Sequence, residues 1–157
     1  MPRATVKSKD ANPDYVRMYF DHQYERIEKL ESHSLNISNI VLTISAVIIT
    51  FGFGNRQSFG SVLILFLPAI IIILNISSIL YVNDRSRWIA QHQKRAKRIL
   101  EIYVPELYKL DAEVVAPPKK WAIHRKTIQN LMHYLLVLIG TILLVLFALD
   151  VIGVSLV

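Results

Sequence analysis

Between Trp88 and Arg98 the chain reads WIAQHQKRAKR, and four of its last five residues, Lys94, Arg95, Lys97 and Arg98, are cationic. Guanidinium forks and ammonium point charges are the side-chain groups that hold phosphate. On a helix, Arg87, Gln91, Lys94 and Arg98 share one face, while Trp88, His92, Ala96, Ile99 and Tyr103 share another. Lys119, Lys120 and Arg125 add cations to the same segment, so the candidate ligand-binding set is Arg87, Gln91, Lys94, Arg95, Lys97, Arg98, Lys119, Lys120 and Arg125. The competing reading of such a run is a solvated helix face.

Other chemistry is harder to find. The five histidines, at positions 22, 33, 92, 124 and 133, form no HExxH pattern and no tight pair with carboxylates. No GxSxG elbow, Walker loop or zinc-ligand spacing occurs, and with no cysteine there is neither a thiolate site nor a disulfide. Gly52 and Gly54 follow no strand, so they are not a dinucleotide fingerprint. No catalytic residue, no metal site and no cofactor is expected, and the chain is not expected to be an enzyme.

A second polar pattern lies within an apolar stretch. Asn36, Asn39, Thr43, Ala46 and Thr50 fall on one face of a helix, and amide and hydroxyl groups in lipid need a partner or water. They are candidate pore-lining residues, with helix–helix hydrogen bonding as the equal alternative. Asn75, Ser77 and Ser78 carry the same two readings. Asp150 is read first as an interface residue and second as part of a cation-selecting ring.

The elements that must position these residues are set by three apolar blocks. Leu35–Phe53 and Leu131–Leu149 are 19 residues each and Phe59–Val82 is 24, all without a formal charge. At about 1.5 Å of rise per residue, roughly 20 such residues cross a hydrocarbon core of about 30 Å. A soluble bundle would need a polar face, which SVLILFLPAIIIIL lacks after Ser61. The N-terminal residues carry no apolar h-region and are not a cleavable signal. Eleven cations lie in 83–130 and six precede the first span, against Arg56 alone in the connection GNRQS and none at the C-terminal end. The positive-inside rule therefore predicts a cytoplasmic N-terminus and an outward C-terminus.

The predicted organisation is a disordered segment 1–13, a cytoplasmic amphipathic helix 14–34, spans at 35–53, 59–82 and 131–152, and a basic cytoplasmic helical segment 83–130. Asn12 caps the first helix and Pro13 suits its first turn. Val16, Phe20, Gln23, Ile27 and Leu30 make its seam, and Glu25 pairs with Lys29 at i, i+4. No breaker separates this helix from the first span. The glycines of FGFGNRQSFG permit a tight hairpin, and Pro68 is expected to kink the second span. Pro105 ends the basic helix, LYKLDAEVVAPPKK is a connector, and Pro117 and Pro118 begin the third long helix.

Topology alone accounts for Arg85, Arg87, Arg125 and Lys126. Lys94, Arg95, Lys97 and Arg98 lie 12 to 16 residues past Val82, about 18 to 24 Å along a straight helix. That is more than two Debye lengths from a headgroup layer at physiological salt. The 83–130 segment holds eleven basic against five acidic residues, a net charge of +6. Three helices enclose no conduit, but a cyclic ring of copies does, and it would bring the basic segments around one axis.

YFDHQYERIEKLESHS running into the first span, the two-span hairpin and the basic RWIAQHQKRAKRILEIY together resemble the SLATT group of small bacterial membrane effectors. The arrangement is also similar to the membrane partner of the Hailong defence system. The likeness covers residues 15–105, and the third span departs from a two-span pattern. The resemblance implies a pore in the bacterial inner membrane that acts in antiphage defence. It also implies control by a nucleotide or short oligonucleotide on the cytoplasmic side, and a nucleotidyltransferase partner. The combined expectation is an all-α integral membrane protein whose three transmembrane helices extend into a cytoplasmic helical stalk. It assembles as a cyclic homo-oligomer, tetramer favoured, in the lipid bilayer, with a non-conducting adaptor for a cytoplasmic protein as the alternative.

Overall fold

The computed structural model describes residues 12–52, 63–114 and 125–152. Four α-helices account for nearly all of them: α1 (Pro13–Val47), α2 (Leu63–Tyr103), α3 (Pro105–Val114) and α4 (Arg125–Val151), and there is no strand among the described residues. Asn12 caps α1, its side-chain Oδ1 accepting from the Asp14 amide at 3.0 Å and its carbonyl from the Tyr15 amide at 3.1 Å. Pro13, with no amide hydrogen to waste, takes the first helical position. At its other end α1 widens into a π-helical turn, Ile48–Gly52. Three helices are long and apolar enough to cross a membrane, over Pro13–Gly52, Ile64–Tyr103 and Lys126–Val151.

The chain divides into two compact units, one of Met1–Ser32 with Ser86–Ala122 and one of His33–Arg85 with Ile123–Val157. In the first, the charged unit, Gln23 and Ala96 are buried, and Val16, Phe20, Ile27, Leu30, Ile99 and Tyr103 are half-buried beside them. Trp88, expected on that same face, is instead exposed. It lies two turns before Ala96, where α2 has already rotated it away.

In the second, the apolar unit, the inward positions recur at spacings of three and four. They are Ser34, Ser38, Val41 and Ser45 on α1, and Ile64, Pro68, Ile71, Asn75, Ser78 and Val82 on α2, where Ile79 beside Ser78 is buried as well. On α4 they are Asn130, His133, Gly140 and Phe147. Such spacing is that of one packed stripe along each helix. Gly140 allows a close approach: a Cβ there would meet Ile72 Cγ1 at 3.0 Å and the Pro68 carbonyl oxygen at 3.4 Å.

One expectation is corrected. Residues 107–114, expected as the first part of a connector, belong to the ten-residue helix α3 (Pro105–Val114). Pro105 does interrupt α2, yet the break is a single residue, Val104, and Pro105 then serves as the first residue of the next helix. The Val104 amide donates to the Leu100 carbonyl at 2.9 Å and the Tyr108 amide to the Val104 carbonyl at 3.1 Å, so the helical ladder almost carries through. The expected disordered tail, the FGFGNRQSFG hairpin from Phe53 onward, and Pro117, Pro118, Lys119 and Lys120 lie outside the described residues.

Candidate functional sites

In the charged unit, Gln91, Lys94, Arg95, Lys97 and Arg98 of α2 line one open cleft of about 840 Å3, with Glu101 and, from α3, Tyr108. The helical period explains the clustering, because positions 91, 94, 95 and 98 share a face. Arg98 is held by Glu101, Nη1 to Oε2 at 2.6 Å. Lys94, Arg95 and Lys97 form no ion pair with any described residue. Five of the nine predicted ligand-binding residues therefore meet in one place. Arg87 is exposed but does not line the cleft, Lys119 and Lys120 lie outside the described residues, and Arg125 is the first residue of α4.

Beneath this face, His92 Nδ1 donates to Gln23 Oε1 at 2.7 Å and joins α2 to α1. Burial pushes the His92 imidazole below its ordinary value of 6.5, and the nearby Arg95, Arg26 and His22 add to the effect. On the outer side of α1, Lys29 reaches Glu25 at 2.5 Å and holds that carboxyl below the usual glutamate range, first through the hydrogen bond and then through its charge.

In the apolar unit the polar residues separate into two sets. Ser38, Ser45, Asn75, Ser78 and His133 are buried and bonded to one another. Asn75 donates through Nδ2 to the Ile71 carbonyl and to Ser45 Oγ, both at 2.8 Å, and the Ser45 hydroxyl itself donates to the Val41 carbonyl at 2.8 Å. The backbone acceptor fixes the amide orientation, so Asn75 Oδ1 faces His133 Nδ1 at 2.7 Å and must accept. The neutral imidazole therefore carries its proton on Nδ1. Its Nε2 is free to accept from the hydroxyls of Ser38 at 2.7 Å and Ser78 at 2.9 Å. One histidine thus joins all three helices of the unit. Nearer the charged ends, Asn130 donates to Asn83 Oδ1 and Gln129 to the Ser34 carbonyl, both at 3.1 Å. Arg85 lies over the Tyr81 ring at 4.7 Å.

Asn36, Asn39, Thr43, Ala46 and Thr50 form the other set, and all five are exposed. They point away from the hydrogen-bonded interior of their own bundle. Of the two readings open for Asn75 and Ser78, helix–helix hydrogen bonding is the one the contacts show, whereas Ser77 is exposed. Asp150 is also exposed.

His133 was not legible as a site. Its sequence neighbours are apolar, and its partners are 95, 58 and 55 residues away. The only signal was its presence inside an otherwise apolar span, which is costly without partners. No group of three or more metal-ligating side chains occurs among the described residues. No protein-family model, curated protein or solved structure matches the chain.

Proposed function

We propose that this chain is the subunit of a homo-oligomeric membrane channel or pore-forming effector. Its N-terminus lies in the cytoplasm and its C-terminus outside. A nucleotide or short oligonucleotide on the basic face of the charged unit gates it. The observation that carries the reading is the outward stripe of Asn36, Asn39, Thr43 and Thr50 on an apolar helix. Ser38, Ser45, Asn75, Ser78 and His133 inside the bundle bond one another, so these four have only lipid, water or another copy to meet. A closed ring that turns the stripe toward its axis gives them water and gives ions a path.

Each copy brings a net +6 from residues 83–130 to the cytoplasmic side of that ring, and four copies, the number we favour, would concentrate anions strongly there. A role in bacterial antiphage defence at the inner membrane, beside a nucleotidyltransferase, rests on the resemblance of residues 15–105 to the SLATT group.

A second reading, a non-conducting adaptor for a cytoplasmic protein, is favoured by one feature of the charged unit. An apolar groove of about 630 Å3 lined by Val16, Phe20, Ile99, Tyr103 and Leu107 is suited to an apolar side chain of a partner.

Recordings from the purified full chain in planar bilayers separate the two. Discrete conductance steps are expected, altered by Asn39→Leu and Thr43→Val. Replacing Lys94, Arg95, Lys97 and Arg98 together with Gln is expected to preserve assembly while weakening oligonucleotide binding and flattening its salt dependence. A protein that is monomeric in detergent and silent in bilayers, with or without oligonucleotide, would leave the adaptor reading in its place.

A further inference from the structure

We propose that Tyr108 is a base-stacking residue, so that the ligand class of the basic cleft is a nucleotide recognised at both its phosphates and its base. This rests on the reading of the cleft as a phosphate site and adds a second wall to it. The first wall is α2, with Lys94, Arg95 and Lys97 unpaired toward the opening and Arg98 steadied by Glu101. The second is α3, which follows α2 after the single-residue break at Val104 and places Tyr108 on the same cleft. The Tyr108 amide bonds the Val104 carbonyl at 3.1 Å, which ties the position of the ring to that break.

Inorganic polyphosphate is bound by charge alone and gains nothing from an aromatic face. A nucleobase does gain, because every base has a π-face to stack. Gln91, which also lines the cleft, offers a neutral amide donor and acceptor of the kind that base edges pair with. At about 840 Å3 the cleft lies within the range of small-molecule sites and accommodates one or two nucleotides. Tyr15, Tyr19 and Tyr24, the exposed tyrosines of α1, do not line this cleft, whereas the half-buried Tyr108 does. The cleft on α1 is lined by Asp14, Asp21 and Glu25 with Arg17, Met18 and His22, so three carboxylates face one guanidinium there.

The test compares ATP with inorganic tripolyphosphate, which carries the same phosphate chain without adenosine. Calorimetric titration uses the full chain in phosphatidylcholine nanodiscs at fixed ionic strength. ATP is expected to bind about 5- to 150-fold more tightly than tripolyphosphate, the range that stacking of one base on one ring confers. Tyr108→Ala is expected to erase that difference and leave tripolyphosphate binding unchanged. Tyr108→Phe is expected to retain it, and Tyr19→Ala to have no effect.

If the two anions bind equally, or if Tyr108→Ala weakens both alike, the stacking role is overturned while the phosphate site stands. If neither binds, the phosphate reading falls and the stacking role with it. Loss of ATP binding when phosphatidylglycerol is added to the nanodiscs would assign the cations to headgroups and overturn the proposal.

Discussion

In the charged unit Ala96 is turned inward with Ile27 and Ile99 half-buried beside it, while Lys94, Arg95 and Lys97 face out. In the apolar unit His133, Asn75, Ser38 and Ser45 are inside together with Ile71, Val82 and Phe147, and Ile73, Leu80, Leu138 and Ile142 are outside. The difference teaches that burial by itself says little about which residues hold a bundle together. In water, apolar side chains gain by leaving the solvent. In lipid the surroundings are as apolar as leucine, so polar side chains gain most by finding one another. An exterior of isoleucine and leucine around a hydrogen-bonded polar node is thus the mark of a unit built for a hydrocarbon solvent.

The sharpest way to break this comparison is to place a charge on the outer face of each unit. Leu138, which is 57% exposed, is predicted to resist Leu138→Arg, at a cost of about 2.5–3.5 kcal/mol if it lies near the middle of a span. Leu110, 55% exposed in the charged unit, should accept Leu110→Arg within about 0.5 kcal/mol. The fraction of chain integrated into membrane vesicles reads the first, and the thermal midpoint of the purified protein reads the second. Equal effects at the two sites would refute the contrast.

The next largest effect is expected at the polar node. His133→Leu strands Asn75 Oδ1 and two hydroxyls inside the bundle, and a loss of about 1–2 kcal/mol is predicted in detergent unfolding. Adding Asn75→Leu should cost less than the sum of the single changes, because the second substitution removes a group already left unpaired. Strict additivity would mean that the two residues do not act as one network.

A smaller, pH-dependent effect is expected in the charged unit. His92 is held below its ordinary value of 6.5 in the folded chain, so the unfolded chain binds its proton first as the solution is acidified. Stability is therefore predicted to fall as pH drops from about 6.5 through the depressed native value, and this contribution is flat above that window. Thermal melts between pH 7.5 and 5 should show the slope, and His92→Gln should flatten it. The smallest effect belongs to the exposed pair of Lys29 and Glu25. Lys29→Met is predicted to leave the thermal midpoint nearly unchanged in the same melts.

Much of this was legible in the chain itself, though unevenly. The apolar blocks announced three long helices because a run such as AIIIIL has no water-facing side to offer. The i, i+3 and i, i+4 spacing of Gln91, Lys94, Arg95 and Arg98 placed them together without any tertiary information. Helix α3 was missed because its Pro105 reads as a stop, when at the first position of a new helix it is a start. The node at His133 was missed because all three of its partners come from other helices.

The sequence by itself determined the helical class, the number of long apolar helices and the cation-bearing face. These follow from local periodicity and from the length of an apolar run, quantities that no distant contact can change. Only the tertiary structure decided which polar stripe of α1 turns inward. Ser38 and Ser45 find His133 and Asn75, while Asn36, Asn39 and Thr43 are left on the outside. Both stripes have helical spacing and comparable polarity, so the choice between them lies in hydrogen-bond partners supplied by α2 and α4. That is long-range complementarity, which one helix read alone does not contain.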